Sequence, residues 1–398
     1  MLYELKKICG ELHVKILLII ILIVSIALAI IPIINFSVLD APDSVNVLKG
    51  KEAIRVSKDQ YESVKGELTI KKLNKVLKYY KSFSSADEAY INTSIKYPGA
   101  SELIFDAYTQ IGSEKEPDIF GLKNVNDFYD RGSTKVADTF SVFENDYEGW
   151  EKVTALEKAK SIDIPYRLDF YQQWKFVYTS ITILFIVIAI AVIFMGSRIF
   201  SYEKDNNMDT VLSTLDKPSL RKIGRNKTIA MIVISSCVFY LSVLIMSVIF
   251  FSSMGLSSWN SQVQCYYFVS LNDLTFGEAY LMFVFLGWLG ILAIGLITSL
   301  ANSFSMKSLV SLVVGGTIFF LPFIINKLGI FPVAVNKLMQ VQPLNGFSVE
   351  SILESLHIYK FMSAKILTST AMGINSMVIL IICFITIPWL FSLRINKA

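Results

Sequence analysis

The sequence predicts an all-α polytopic membrane protein with six transmembrane helices and a large extracytoplasmic domain between the first and second. Three observations carry this. The 398 residues are 53% hydrophobic and only 18% charged, which is too apolar for an ordinary soluble domain. The apolar residues fall into six uncharged runs, each close to the roughly 20 residues that cross about 30 Å of hydrocarbon. The stretch from Ser37 to Gln173 holds 19 basic and 23 acidic residues, more than half of the protein's charge.

The chain opens on Leu2, Leu5, Ile8, Cys9 and Leu12, a spacing that puts them on one side of a helix lying in the membrane interface. Ile16–Ile34 follows Lys6, Lys7 and Lys15. It is longer than a signal-peptide core and runs through Pro32 into Asn35 and Phe36 without a small-residue cleavage site, so it reads as a permanent anchor. Residues 1–36 thus form an interfacial helix and the first span.

Residues 37–173 are long enough for a domain. Within them Thr69 is placed to cap a helix whose Leu73, Val76, Leu77 and Tyr80 form an apolar stripe, with Lys71, Lys72, Lys75 and Lys78 largely off it. A solvated helix face and a binding surface for an acidic ligand or lipid headgroup both fit those lysines.

The remaining spans are Phe176–Ser197, Thr228–Met254, Ala279–Ala301, Leu309–Ile325 and Ser376–Leu393, none containing Asp, Glu, Lys, Arg or His. Arg198–Lys227 carries seven basic residues against four acidic, whereas Trp259–Glu278 has no basic residue. The positive-inside rule then puts both termini in the cytoplasm of a multi-pass cell-membrane protein, with Lys307, Arg394 and Lys397 in agreement. Residues 326–375 form a second external stretch. Its short apolar pieces, such as Leu328–Val335, and its breakers Gly329, Pro332, Pro343 and Gly346 predict broken re-entrant or interfacial helices, or a plain loop.

Several chemistries are excluded or disfavoured. No GxxxxGK[ST] loop is present, so the chain has no phosphate-cradling site of its own and is not expected to be an enzyme. His13 and His357 are the only histidines, and no Cys/His cluster has metal-ligand spacing. Of the four cysteines, Cys9, Cys237 and Cys383 lie at the cytoplasmic end or in apolar runs and Cys265 in a loop that reads as exposed, which offers no disulfide framework. The net charge of +4 reads as topology and not as a nucleic-acid signal. Ion-driven carriers usually hold a charged residue at mid-membrane, and the six runs have none. Ser235, Ser236, Thr298 and Ser299 remain available for ion coordination or for helix-to-helix hydrogen bonds. Gly287, Gly290, Gly295 and Gly315 would let helices approach closely, within the chain or at a dimer interface.

The most informative stretch is FSYEKDNNMDTVLSTLDKPSLRKIGRNK, Phe200–Lys227. Met208, Val211, Leu212 and Leu215 recur at i, i+3, i+4, i+7 and predict a short amphipathic helix, with Asp205 or Asn206 as possible caps. The stretch resembles the loop of permease subunits of type-2 ABC exporters, in which aromatic-x-x-Glu is followed by a Leu-Leu-x-Ser-Thr-Pro-like segment, then Arg and Lys. Those positions are here Phe200, Glu203, Val211-Leu212-Ser213-Thr214, Arg221 and Lys227. The family's Gly-Thr is replaced by Asp209-Thr210, and its Pro by Leu215 with Pro218 arriving later. The resemblance covers about 30 residues, and the six spans, the amphipathic N-terminus and the broken stretch before the last span agree with the family plan.

That resemblance implies a permease paired with a second copy or a related permease and with cytosolic ATPase subunits, which hold ATP and Mg while this chain holds no cofactor. The ATPase-coupling surface would comprise Phe200, Glu203, Met208, Val211, Leu212, Ser213, Thr214, Leu215, Arg221 and Lys227, with the N-terminal helix beside it. Uniformly apolar spans in contact with membrane lipid suit a hydrophobic or amphipathic cargo: a peptide, a lipid-like molecule or a drug. The alternatives are a receptor or signalling protein, a secondary carrier, and a structural or immunity protein without transport activity.

Overall fold

The structure, a computed structural model, describes residues 2–39, 47–113, 115–328 and 330–395. Gly329 and Lys397, both used in the sequence reading, lie outside them, as do the side chains of Leu2 and Asp209. The N-terminal helix α1 (Leu2–Gly10) is separated from α2 (Leu12–Asn35) at Glu11, whose backbone is extended. This break lets α1 lie across the end of the bundle instead of prolonging α2. Of the expected apolar side, Ile8 is buried and Leu5 half-buried, while Cys9 and Leu12 are exposed.

Strands β1 (Ser37–Leu39) and β2 (Val47–Lys49) pair antiparallel and are followed by six helices. They are α3 (Gly50–Tyr61), α4 (Ile70–Tyr80), α5 (Ala86–Lys96), α6 (Ala100–Tyr108), α7 (Phe128–Val142) and α8 (Gly149–Lys160). Strands β3 (Gly66–Glu67) and β4 (Arg167–Leu168) pair antiparallel and bring the start and finish of this polar region together. The α4 reading holds. The Thr69 hydroxyl accepts from the Lys72 amide at 3.3 Å, and Leu73, Val76, Leu77 and Tyr80 are all buried. Lys71, Lys75 and Lys78 are exposed, while Lys72 folds back to donate to the carbonyls of Val64 and Lys65.

The long helices follow: α9 (Gln172–Gly196), then the single-turn α10 (Tyr202–Asp205) and α11 (Asp209–Leu212), α12 (Lys217–Met254), α13 (Phe276–Ser305) and α14 (Ser308–Leu328). Then come α15 (Val333–Gln340), α16 (Val349–Leu353), the hairpin of β5 (Ile358–Phe361) and β6 (Ala364–Leu367), and α17 (Thr368–Ile395). Among the described residues six helices, α2, α9, α12, α13, α14 and α17, are long and apolar enough to cross a membrane. They match the six expected runs. The segment before α17 is broken into short elements, with Pro332 and Pro343 lying outside its helices.

The long helices extend past their apolar runs, the third by the most: it begins at Lys217, ahead of Thr228, with Pro218 in its first turn, where the missing amide costs nothing. At 38 residues it is about 57 Å long, well beyond the hydrocarbon thickness, so its basic first turns project past the apolar zone.

Helix α13 is the centre of the bundle. A capping box starts it: Thr275 Oγ1 accepts from the Glu278 amide at 3.3 Å, and Glu278 Oε2 accepts from the Thr275 amide at 2.8 Å. Its most apolar window is 67% buried, against 22% for α2 and for α14. The four glycines are explained by packing within the chain. A Cβ on Gly287 would stand 2.1 Å from the Phe185 ring of α9, and one on Gly315 2.3 Å from Thr298 Oγ1. Gly287→Ala is therefore expected to destabilise the protein by about 1–3 kcal/mol through overpacking, read as a lower midpoint of thermal unfolding in detergent. An unchanged midpoint would mean that α9 and α13 are farther apart than here.

The four hydroxyls differ: Ser235 Oγ is buried without a hydrogen-bond partner among the described residues, and of the other three only Ser236 bonds to another helix. Trp288 Nε1 donates to Ser236 Oγ at 2.9 Å, and Thr298 and Ser299 donate to the carbonyls of Ile294 and Gly295. Cys265, expected in an exposed loop, is a correction: it is 1% exposed, with Sγ 3.5 Å from the Arg167 carbonyl. The loop that holds it carries Val263, Tyr267 and Phe268, which are buried with it beneath the polar region.

Candidate coupling surface

The segment between α9 and α12 divides into a buried root and an exposed tip. The root starts where α9 ends. The amides of Phe200 and Ser201 both donate to Asn302 Oδ1 of α13, at 2.7 and 3.0 Å, and Asn302 Nδ2 donates to Ser311 Oγ of α14 at 3.1 Å. A single fully buried side chain thus fastens the start of the loop to two further spans. The Phe200 ring is fully buried against Phe391 of α17, 5.2 Å between centroids.

Beside it lies an ionic node. The fully buried Lys227 ammonium donates to both Glu203 carboxylate oxygens at 2.6 Å and to the Ile199 carbonyl at 2.6 Å. Lys7 of α1 donates to the same carboxylate, stands 3.9 Å from Glu4 Oε2 and lies over the Tyr202 ring at 3.8 Å. Burial pushes the Glu203 carboxyl up, but the ammoniums of Lys227 and Lys7 outweigh it and hold the group below its ordinary value. The carboxylate therefore ties α1, α10 and α12 together. Arg198 and His13 both face Glu11 at the same end of the bundle.

The tip is short. The periodicity of Met208, Val211, Leu212 and Leu215 predicts a short amphipathic helix, but among these only Val211 and Leu212 lie in one, Asp209–Leu212. Two local causes are visible. Asn207 takes a left-handed conformation at φ 54° and separates α10 from α11. The Ser213 and Thr214 hydroxyls donate to the carbonyls of Thr210 and Val211, at 2.7 and 2.8 Å, and compete with continued helix. Asp205 and Asn206 are not the caps of this helix; they close α10, where Asn206 Nδ2 donates to the Tyr202 carbonyl.

The ten sequence-derived residues therefore separate by role. Met208, Val211, Ser213, Thr214, Leu215 and Arg221 are exposed and Leu212 is half-buried. Phe200, Glu203 and Lys227 are buried and offer no surface to a partner; they position the loop. Sequence reasoning missed Asn302, which lies one residue beyond the expected fourth span, and saw Lys7 only as a flanking charge.

A second ionic cluster was also missed. Glu151 of α8, fully buried, accepts from the Ile358 amide at 2.8 Å, from Lys337 Nζ at 3.0 Å and from its own helix start at Glu148, and lies 3.0 Å from His357 Nδ1. His357 stacks on Tyr147 at 4.7 Å. This clasp joins the polar region to the segment before α17.

Among the described residues no group of three or more His, Cys, Asp or Glu has a geometry that would hold a metal ion. Compared with protein-family models, with curated proteins and with solved structures, the chain matches none.

Proposed function

We propose that this chain is the membrane-spanning permease subunit of an ATP-driven exporter, similar to type-2 ABC permeases. In this reading α1, the loop tip and both termini face the cytoplasm, and the polar region between α2 and α9 is the extracytoplasmic domain. The observation that supports it most is the arrangement around Glu203: a solvent-facing tip on a root rigidly joined to α1, α9, α12, α13 and α17. A push on the tip by a closing ATPase dimer would reach several spans as a rigid-body displacement. ATP and Mg would be held by the ATPase, and the cargo would be hydrophobic or amphipathic.

The exposed outer side of α14, with Val310, Val313, Ile324 and neighbours, is available for pairing with a second permease. The test is co-purification with co-expressed candidate ATPases. Val211→Asp, at a side chain 67% exposed, is expected to abolish co-purification while thermal stability stays within about 0.5 kcal/mol. Failure of every candidate ATPase to bind the folded wild type would overturn the exporter reading.

A further inference from the structure

On the flank of the bundle, α1, α2 and α12 enclose a lateral groove of about 530 Å³ lined by apolar side chains, two thiols and the Ser242 hydroxyl. Leu5 and Cys9 of α1 close one end. Leu18 and Leu22 of α2 form one wall, and Cys237 and Leu241 of α12 the other. The groove opens sideways: Leu22 and Leu241 are exposed, and so are both cysteines. In a bilayer this opening faces acyl chains.

The end closed by α1 is marked by charge. On α2, Lys15 precedes Leu18, Ile19 and Leu22 by three, four and seven residues, so it stands on the same helical stripe as that wall. On α12, Lys222 and Asn226 precede Val233 by eleven and seven residues and continue the open edge of the other wall. Lys6 lies between the two lining residues of α1 in sequence. Lys6, Lys15 and Lys222 are all exposed, and none has an ion-pair partner among the described residues.

An apolar slot of this kind, ending at lysines without counter-ions, matches one class of molecule. We infer that the groove holds an anionic phospholipid from the leaflet on the α1 side, its acyl chain between α2 and α12 and its phosphate headgroup at Lys15 and Lys222. A second copy of the chain would also satisfy the apolar walls, but its Glu4, Glu11 and Glu203 at this end already face Lys7, His13, Arg198 and Lys227. Because α1 also carries Lys7, whose ammonium binds Glu203, an occupied groove would steady α1 against the buried node.

The test uses the full-length protein and no ATPase, so its outcome is separate from that of the exporter reading. Native mass spectrometry would follow binding of phosphatidylglycerol and of phosphatidylcholine to the detergent-purified protein. Wild type is expected to bind phosphatidylglycerol preferentially. Lys15→Gln/Lys222→Gln is expected to weaken that binding by about 30-fold, from roughly one kcal/mol per removed charge, with phosphatidylcholine binding unchanged. Cys237→Trp, which fills the slot from an exposed position, is expected to reduce binding of both lipids while leaving the protein monodisperse. Equal binding of both lipids by wild type, or undiminished phosphatidylglycerol binding by the double variant, overturns the proposal. So does a wild-type dimer that Cys237→Trp dissociates with no lipid bound, which would give the groove to a second copy.

Discussion

Glu203→Gln is expected to cost about 3–5 kcal/mol of stability, the range for removing one partner of a buried ion pair, and to release α1 from the bundle. The reason is asymmetry. With the charge gone, the amide oxygen can accept from one ammonium while its NH₂ group turns a donor toward Lys227, which otherwise has the Ile199 carbonyl and the faces of Phe200 and Phe391, and Lys7 approaches it with like charge. Lys7→Gln is expected to cost much less, because Glu203 retains two contacts of 2.6 Å to Lys227. A Glu203→Met/Lys227→Met double variant, with aromatic rings already lining the site, should recover most of the lost stability. Thermal unfolding in detergent checks the order. Three variants within about 1 kcal/mol of wild type, as for a surface pair, would show that water reaches the node.

In the exporter reading the same series separates two roles of the node. A variant that recovers stability but leaves the ATPase rate unresponsive to transport substrate would mark Glu203 as a positioning residue for the loop. Full recovery of both properties would reduce it to packing.

What could be read from the sequence was local. The six spans are visible because a membrane helix must be apolar over its own length, and α4 because its cap and stripe lie within twelve residues. The short reach of such patterns also explains the misses. Glu203 and Lys227 are 24 residues apart and Lys7 is 196 residues from Glu203, so the resemblance singles out Glu203 and Lys227 without showing that they pair, and Lys7 reads as a flanking charge. Cys265 reads as exposed because it lies outside every apolar run, a membrane signal that says nothing about burial within a loop. The loop helix was overread because the periodicity of Met208, Val211, Leu212 and Leu215 is blind to Asn207 and to two hydroxyls that bond the backbone.

Glu151→Gln is expected to open the clasp between α8 and the segment 330–367. Both carboxylate oxygens face donors: Oε1 the Ile358 amide and His357, Oε2 Lys337 and the Glu148 amide. Whichever way the amide is turned, its NH₂ group meets donors, so one side of the clasp is lost outright. The local cost is about 3 kcal/mol, read as faster hydrogen exchange of Ile358–Phe361 and easier proteolysis of the adjoining loop. Acid should reproduce the effect. Burial pushes the Glu151 carboxyl up, but hydrogen bonds from His357, Ile358 and Lys337 hold it below its ordinary 4.5. A carboxyl lowered in the folded state contributes its full stability above its ordinary value and loses it as pH falls through the lowered one. The exchange difference between wild type and Glu151→Gln should therefore not shrink from pH 7 down to about 4.5 and should shrink below it. A difference that shrank between pH 7 and 5 would mean that Glu151 is not the group that holds the clasp shut.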